Sequence, residues 1–417
     1  MKRLIIFFLS LTIVTGSILF VSVIAKSNSN IIESENLKID SMQIGDYFSL
    51  GKYNDEPIIW RYVADDENGK LIVSDKVLCN KPFGLSSFWQ ESYVRKWLNS
   101  TVSEGEVDWN LKEFHNRWVN ENINTKEKGF LNESNFSQKE RKVLKQVTQW
   151  TMLPINHLDL ATNGETEVYN ALKEYRQGSS IEPSYFKFYS VEELPEAYHG
   201  AAYEVTDTVF LMDEMQIYNM WKNFGDIKAI LGEKGVSAFS EPGEYTEYFL
   251  RTASKDETGC TSLDENGEYG HGSCHFYGGI RPAFYLDEDN AVILSGSGTA
   301  EEPYIMTGRE IEVYTNGTKA EMSDQPTIKD GIVMLPVKET FEKLGAKVNW
   351  DEETQAVTIE KDGNYIYMLR DNKGIMINGE IYDLGLVLCQ DNGHIKPLFF
   401  SKISKMHKLV AFIPRFA

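Results

Sequence analysis

Residues 47–75, YFSLGKYNDEPIIWRYVADDENGKLIVSD, alternate apolar and polar side chains over three short stretches. That period of two marks strands with one buried face. Asn54-Asp55 and Asn68-Gly69 fall between the stretches, where hairpin turns belong, and Asn-Gly is a strong signal for a type I′ turn. A two-residue turn can join only antiparallel neighbours. The chain is therefore committed near its start to an antiparallel meander, and whatever follows must complete that sheet.

A helical section comes next. In SYVRKWLN, Tyr93, Val94, Trp97 and Leu98 share one face. SQKERKVLKQV opens with Ser137 and carries Glu140 three residues later, the spacing of a capping box. Asp213 and Gln216 repeat it ahead of EMQIYNMWKNF, and DTVFLM before them reads as a short buried strand. Strand patterns return at YFLRTAS, GGIRPAFYLD and NAVILSG, where Pro282 suggests an edge strand or a bulge. Strands at both ends with helices between predict one α+β domain over residues 44–308, its terminal strands paired. SGSGTAEEPY closes it. A shorter domain, 309–417, follows, with hairpin signals at Asn316-Gly317 and Asp362-Gly363 and an amphipathic helix, VKETFEKLG, stopped by Gly345.

The N-terminus bears on location. Lys2 and Arg3 precede an apolar run from Leu4 to Ala25. A basic start followed by such a run is a secretory signal, and its length also suits a retained membrane anchor. Either way residues 26 onward lie outside the cytoplasm, with the polar 26–43 as a linker. The membrane is touched only through the N-terminal segment. The formal charge is −20, with acid spread along the chain, so phosphate backbones are repelled and nucleic acid is not expected as a partner.

An oxidising compartment lets disulfides persist. Cys79, Cys260, Cys274 and Cys389 allow three full pairings. Cys260 and Cys274 stand close together in a glycine-rich stretch, and a Cys260–Cys274 bond stapling a surface loop is the expected pairing. Such a loop would add roughly 3 kcal/mol. His271 and His275 beside them raise a zinc or copper reading, but the spacing fits no standard site, so no metal and no cofactor are expected.

Two stretches resemble known families. VYTNGTKAEMSDQPTIKDGIVMLPVKETFEKLGAKVNWDEETQAVTI, followed by IMINGEIYDL, resembles the bacterial stalk domain, also called the copper amine oxidase N-terminal-like domain. The resemblance implies an antiparallel sheet with a packed helix at the cell surface. It implies no oxidase chemistry, because in that family the domain is remote from the copper site. The C-terminal IKPLFFSKISKMHKLVAFIPRFA is a degenerate version of the family's second half. Residues 45–306, through GDYFSLGKY, IIWRYV, SYVRKWLN, TDTVFLM, YFLRTAS and GGIRPAFYLD, resemble an uncharacterised module of exported Gram-positive proteins. By analogy that module is C-type-lectin-like.

No GxSxG elbow, Walker loop or HExxH occurs, and the calcium-lectin sugar triplets are missing, so no catalytic residue is assigned. Trp60 and Trp97 fall on apolar periodicities and belong to the core. Trp89 and Trp109 lie in polar, loop-like surroundings and are the candidate ligand-binding residues, since an exposed indole can stack on sugars or peptides. Arg251 and Arg281 are expected to pair with carboxylates across the sheet. The chain reads as a non-catalytic cell-surface binding or scaffold protein, with a cell-wall glycan or a surface protein as partner. The alternative is an enzyme on the lectin-like fold, formylglycine-generating-like or metal-dependent, for which Cys260 and Cys274 would supply the thiols.

Overall fold

The computed structural model describes residues 21–26, 39–107, 109, 127–154, 157, 160, 202–233, 240–253, 259–315, 318–323, 326–329, 332–334, 336–370, 374–383, 389–391 and 394–396. The chain divides into two compact units, Asn36–Gly308 and a smaller one of Arg309–Ala417 with Met1–Glu35.

The meander at the start of the larger unit forms as its alternation requires. Tyr47–Tyr53, Glu56–Asp66 and Gly69–Ser74 pair in antiparallel sequence. Asn54 and Asp55 both take left-handed backbone angles, φ 51° and 65°, as a type I′ turn demands. The second turn is set one residue earlier than Asn68-Gly69 predicts. Asp66 pairs with Gly69, leaving Glu67 and Asn68 as the loop. The cause is local, since Asp66 Oδ1 accepts the Asn68 amide at 2.8 Å and closes the turn itself.

This meander is the middle of an eight-stranded sheet. Tyr304–Gly308 joins it parallel to Tyr47–Tyr53, so the two ends of the unit lie side by side, and Ala291–Ser295 stands outside them. On the other flank Pro282–Leu286 pairs with Gly69–Ser74 and also with Leu144–Lys145 and Phe210–Leu211. Pro282 is thus the first residue of an interior strand rather than part of an edge, a position that needs no ladder N–H. The core beneath is aromatic. Trp60 meets Phe284 edge-on at 4.8 Å between ring centroids and donates its indole N–H to Leu50 O at 2.8 Å.

A second, five-stranded sheet runs Tyr269–Ser273, Gly259–Leu263, Tyr248–Ala253, Tyr277–Ile280, Cys79–Pro82. Arg281 is the single residue between Tyr277–Ile280 here and Pro282–Leu286 in the other sheet. Its buried guanidinium donates to Ser74 O at 3.0 Å, Ile227 O at 3.1 Å and Asp75 O at 3.5 Å. It therefore pins both chain crossings between the sheets through carbonyls, not through the carboxylate expected from sequence.

Helices are few. Tyr93–Leu98 buries Tyr93, Val94, Trp97 and Leu98, as its periodicity requires. Both capping boxes form, Ser137 with Glu140 and Asp213 with Gln216. The first opens only one turn, Gln138–Arg141, because Leu144–Lys145 is drawn off as a strand against Pro282–Leu286. The second opens Glu214–Phe224, ended by Gly225 at φ 67°.

In the smaller unit, Lys347–Asp351, Ala356–Lys361, Asn364–Leu369, Gly374–Ile377 and Glu380–Asp383 form an antiparallel sheet in chain order. Helix Val337–Lys343 covers one face, with Val337 packed among Val357, Ile359, Met368 and Ile377. Turn pairs Asp362-Gly363 and Asn378-Gly379 both have positive φ. Asn316-Gly317 and residues 397–417 lie outside the described residues. Val21–Lys26, the end of the apolar run, pairs with Glu310–Thr315 as a strand. No helix among the described residues is long and apolar enough to cross a membrane.

Candidate functional site

Strands Val147–Met152 and Ala202–Asp207 form a separate two-stranded ribbon, with Trp150 opposite Glu204 and Thr148 opposite Thr206. VTQWTM is rich in β-branched and aromatic residues, which favour a strand, and the strand buries Val147, Gln149 and Thr151 while exposing Thr148 and Trp150.

The inner face is gripped by buried charge. Arg251, from strand Tyr248–Ala253, is 1% exposed. Its Nε donates to Thr151 Oγ1 at 3.2 Å, and Nη2 donates to Gln149 Oε1 at 3.1 Å and Trp150 O at 3.5 Å. One guanidinium thus holds three consecutive ribbon residues. Nη2 also donates to Asp213 Oδ2 at 2.7 Å, and Nη1 to Gln216 Oε1 at 2.6 Å, the two residues of the second capping box. Gln216 Nε2 extends the network to the Tyr285 hydroxyl at 2.9 Å, which in turn donates to Asp66. Burial pushes the Asp66 carboxyl above the usual carboxylate range, against the lowering effect of that hydroxyl.

The other strand is held in the same way. Asp207 is buried and accepts the Trp89 indole N–H at 2.8 Å and Arg95 Nε at 2.6 Å. Burial raises the Asp207 pKa, and the Arg95 charge opposes the rise. Arg95 Nη2 continues to Thr206 O at 3.1 Å. Carbonyls of both strands are therefore tied down from within, while Thr148, Trp150, Glu204 and Thr206 stand outward.

On the outer face Trp150 is 41% exposed. The Thr148 and Thr206 hydroxyls share a hydrogen bond at 2.7 Å. An exposed carboxylate, two hydroxyls and a flat apolar ring thus occupy one rigid surface. Such a surface can stack and hydrogen-bond a ligand.

A family model described as Domain of unknown function (DUF6273) matches residues 67–288, more than half of the chain and the whole of this ribbon. The chain belongs to the DUF6273 family. Beyond that region, a model described as Copper amine oxidase N-terminal domain matches residues 314–395. A primary amine oxidase of Klebsiella aerogenes is 33% identical over 60 residues, which cover 14% of this chain and 8% of that relative. The chain thus spans under a tenth of the length of the oxidase it resembles. The matched domain type is non-catalytic.

Within the DUF6273 region the two tryptophans expected at a ligand surface are core residues. Trp89 is fully buried because Asp207, far along the chain, takes its N–H. Trp109 is buried against Tyr93 and Trp97, with Lys81 Nζ 5.1 Å from its ring centroid. Lys81 is itself buried and ion-paired with Glu127. The residue that does face solvent, Trp150, carried no such signal in the sequence, because each face of its strand mixes apolar and polar residues.

Cys260 and Cys274 are joined in a disulfide, Cα–Cα 5.1 Å. The bond closes a hairpin whose turn is exposed at Glu265, Asn266 and Glu268. Gly259–Leu263 and Tyr269–Ser273 form a hairpin of the DUF6273 region's five-stranded sheet, and both sulfur-bearing residues are buried. His275 Nε2 lies 3.1 Å from Leu85 O. No cluster of three His, Cys, Asp or Glu able to hold a metal occurs among the described residues. Arg251 pairs with a carboxylate, Asp213.

Proposed function

We propose that this DUF6273 protein is a non-catalytic binding or scaffold protein, displayed outside the cytoplasmic membrane of a Gram-positive bacterium. The larger unit serves as a C-type-lectin-like module and the smaller as its stalk. The observation that carries the reading is Trp150, a large exposed aromatic on a ribbon whose inner face is fixed by Arg251 and Arg95. Ordering of that sort lowers the entropy lost on binding. The similarity of residues 314–395 to a non-catalytic N-terminal domain supports the stalk role, and the basic start with its apolar run supports export. The enzyme alternative would draw on Cys260 and Cys274 as free thiols, and the disulfide between them weighs against it.

Fractionation of the producing cell and retention of the purified full chain on isolated cell envelopes test the reading together. The expected result is recovery outside the cytoplasmic membrane, with retention that falls in Trp150→Ala. Recovery as a soluble cytoplasmic protein, or retention indifferent to Trp150, would overturn it.

A further inference from the structure

We propose that the outer face of the ribbon binds a neutral or amino-substituted hexopyranose of a glycan, its C–H face stacked on Trp150 and its polar edge on Glu204 and the Thr148–Thr206 pair. The inference rests on the reading of this face as the contact surface and adds the class of ligand.

The geometry of the pairing carries it. Trp150 and Glu204 are direct cross-strand partners, so their Cβ atoms are about 5 Å apart and a carboxylate and an indole stand side by side. Thr148 and Thr206 are the next pair on the same face, two residues and roughly 6.8 Å along the strands. That step is comparable with the width of one sugar ring. A pyranose laid on the indole presents apolar C–H bonds to the ring and hydroxyls around its edge. Glu204 can accept from two of those hydroxyls, or from an amine. In the Thr148–Thr206 hydrogen bond one hydroxyl donates and the other accepts, so the accepting hydroxyl keeps its own proton for the sugar.

The same chemistry selects against other partners. A phosphate-bearing or uronic-acid polymer meets the Glu204 carboxylate on a chain of net charge −20. Extended proline-rich peptides are recognised in grooves lined by several aromatics. This face offers one ring between short polar side chains. Nor does the ring need to be freed first, because among the described residues no other ring or cation stacks on it.

The test is calorimetric titration of the full chain with chitotetraose and with cellotetraose, with hexaproline as the peptide comparison. Trp150→Ala, Glu204→Gln and, as control, Trp221→Ala are run beside the wild type. Trp221 is 40% exposed on helix Glu214–Phe224, away from the ribbon's paired residues. Saturable binding of at least one oligosaccharide is expected. Trp150→Ala should weaken it at least 10-fold, as loss of an aromatic anchor does. Glu204→Gln should weaken it several-fold, and Trp221→Ala should leave it unchanged, all with an unaltered urea midpoint. Absence of oligosaccharide binding up to 10 mM-scale concentrations (about the weakest affinity of interest), equal loss in Trp221→Ala, or binding of hexaproline instead would overturn the proposal. If Trp150→Ala loses envelope retention while neither oligosaccharide binds the wild type, the sugar class is wrong and the contact surface stands. If Trp150→Ala retains envelope binding, both readings fall.

Discussion

Arg251→Met tests whether buried charge fixes the ribbon. Methionine keeps much of the side-chain volume, so the cavity contribution is small. What changes is the hydrogen bonding. Asp213 Oδ2 loses its ion-pair partner in a buried site, and Thr151 Oγ1, Leu211 O, Gln149 Oε1, Gln216 Oε1 and Trp150 O each lose a donor. Orphaning one member of a buried ion pair costs about 3–5 kcal/mol, and we expect about 4. Adding Asp213→Asn removes the stranded charge while its amide oxygen can still cap the Gln216 N–H, which Asp213 Oδ1 now accepts at 2.8 Å. The remaining cost is that of neutral acceptors at about 1 kcal/mol apiece. Gln149 Oε1 keeps a donor in Gln216 Nε2, Gln216 Oε1 keeps the Asp213 N–H, and Trp150 O gives up only a long 3.5 Å contact, so two acceptors, Thr151 Oγ1 and Leu211 O, matter. The double variant should therefore lie only about 2 kcal/mol below wild type, more stable than Arg251→Met alone. Urea unfolding followed by tryptophan fluorescence is the assay, because seven of the eight tryptophans lie within residues 36–308. Hydrogen exchange at residues 149–151 should quicken in Arg251→Met. A cost below about 1 kcal/mol, or a double variant worse than the single, would refute the account.

Replacing Cys260 and Cys274 by Ser should cost about 3 kcal/mol from loop closure over a separation of 14 residues. Unfolding midpoints settle it, and a loss near zero would mean that the hairpin is held without the bond. Asp66 has a pKa raised by burial, so the folded chain retains protons that the unfolded chain has released above about pH 4. Its contribution to stability therefore falls as pH rises, Asp207 and Asp287 acting in the same direction. Asp66→Asn should flatten the decline in urea midpoint as pH rises above about 4, and a steeper decline would contradict the sign. Burial pushes the Cys79 thiol up to about 11, so iodoacetamide at pH 8 should label it only in urea. Gly345, at φ 82°, ends the helix of the smaller unit, and Gly345→Ala should cost about 1 kcal/mol, read from that unit's own unfolding transition.

Local signals were legible where local physics decides. Asn54-Asp55, both capping boxes and the buried face of Tyr93–Leu98 follow from neighbours within four residues. The pairing of the larger unit's ends was also readable, because an alternating strand at each terminus has few other ways to bury its apolar face. What failed depended on distant partners. Trp89 looked like a loop residue because Asp207 cannot be seen from residue 89. Helix 138–141 stops early because Pro282–Leu286, far along the chain, recruits the residues that follow. Arg281 was expected to meet a carboxylate, yet its position between two sheets surrounds it with the carbonyls of chain crossings. The ribbon was missed for a simpler reason. VTQWTM lies between the patterns that were read and was given no element, although its β-branched and aromatic residues favour a strand.

The parallel contact of Tyr304–Gly308 with Tyr47–Tyr53 has a mechanical meaning. A pull on the chain before residue 47 and after residue 308 draws these two neighbours in opposite directions along their length. Tyr304 and Ile305, in register with Phe48 and Ser49, would resist in shear, their hydrogen bonds loaded together rather than opened one at a time. The larger unit is thus built to bear tension between its two attachment points, with the strands that close the fold serving as its clasp.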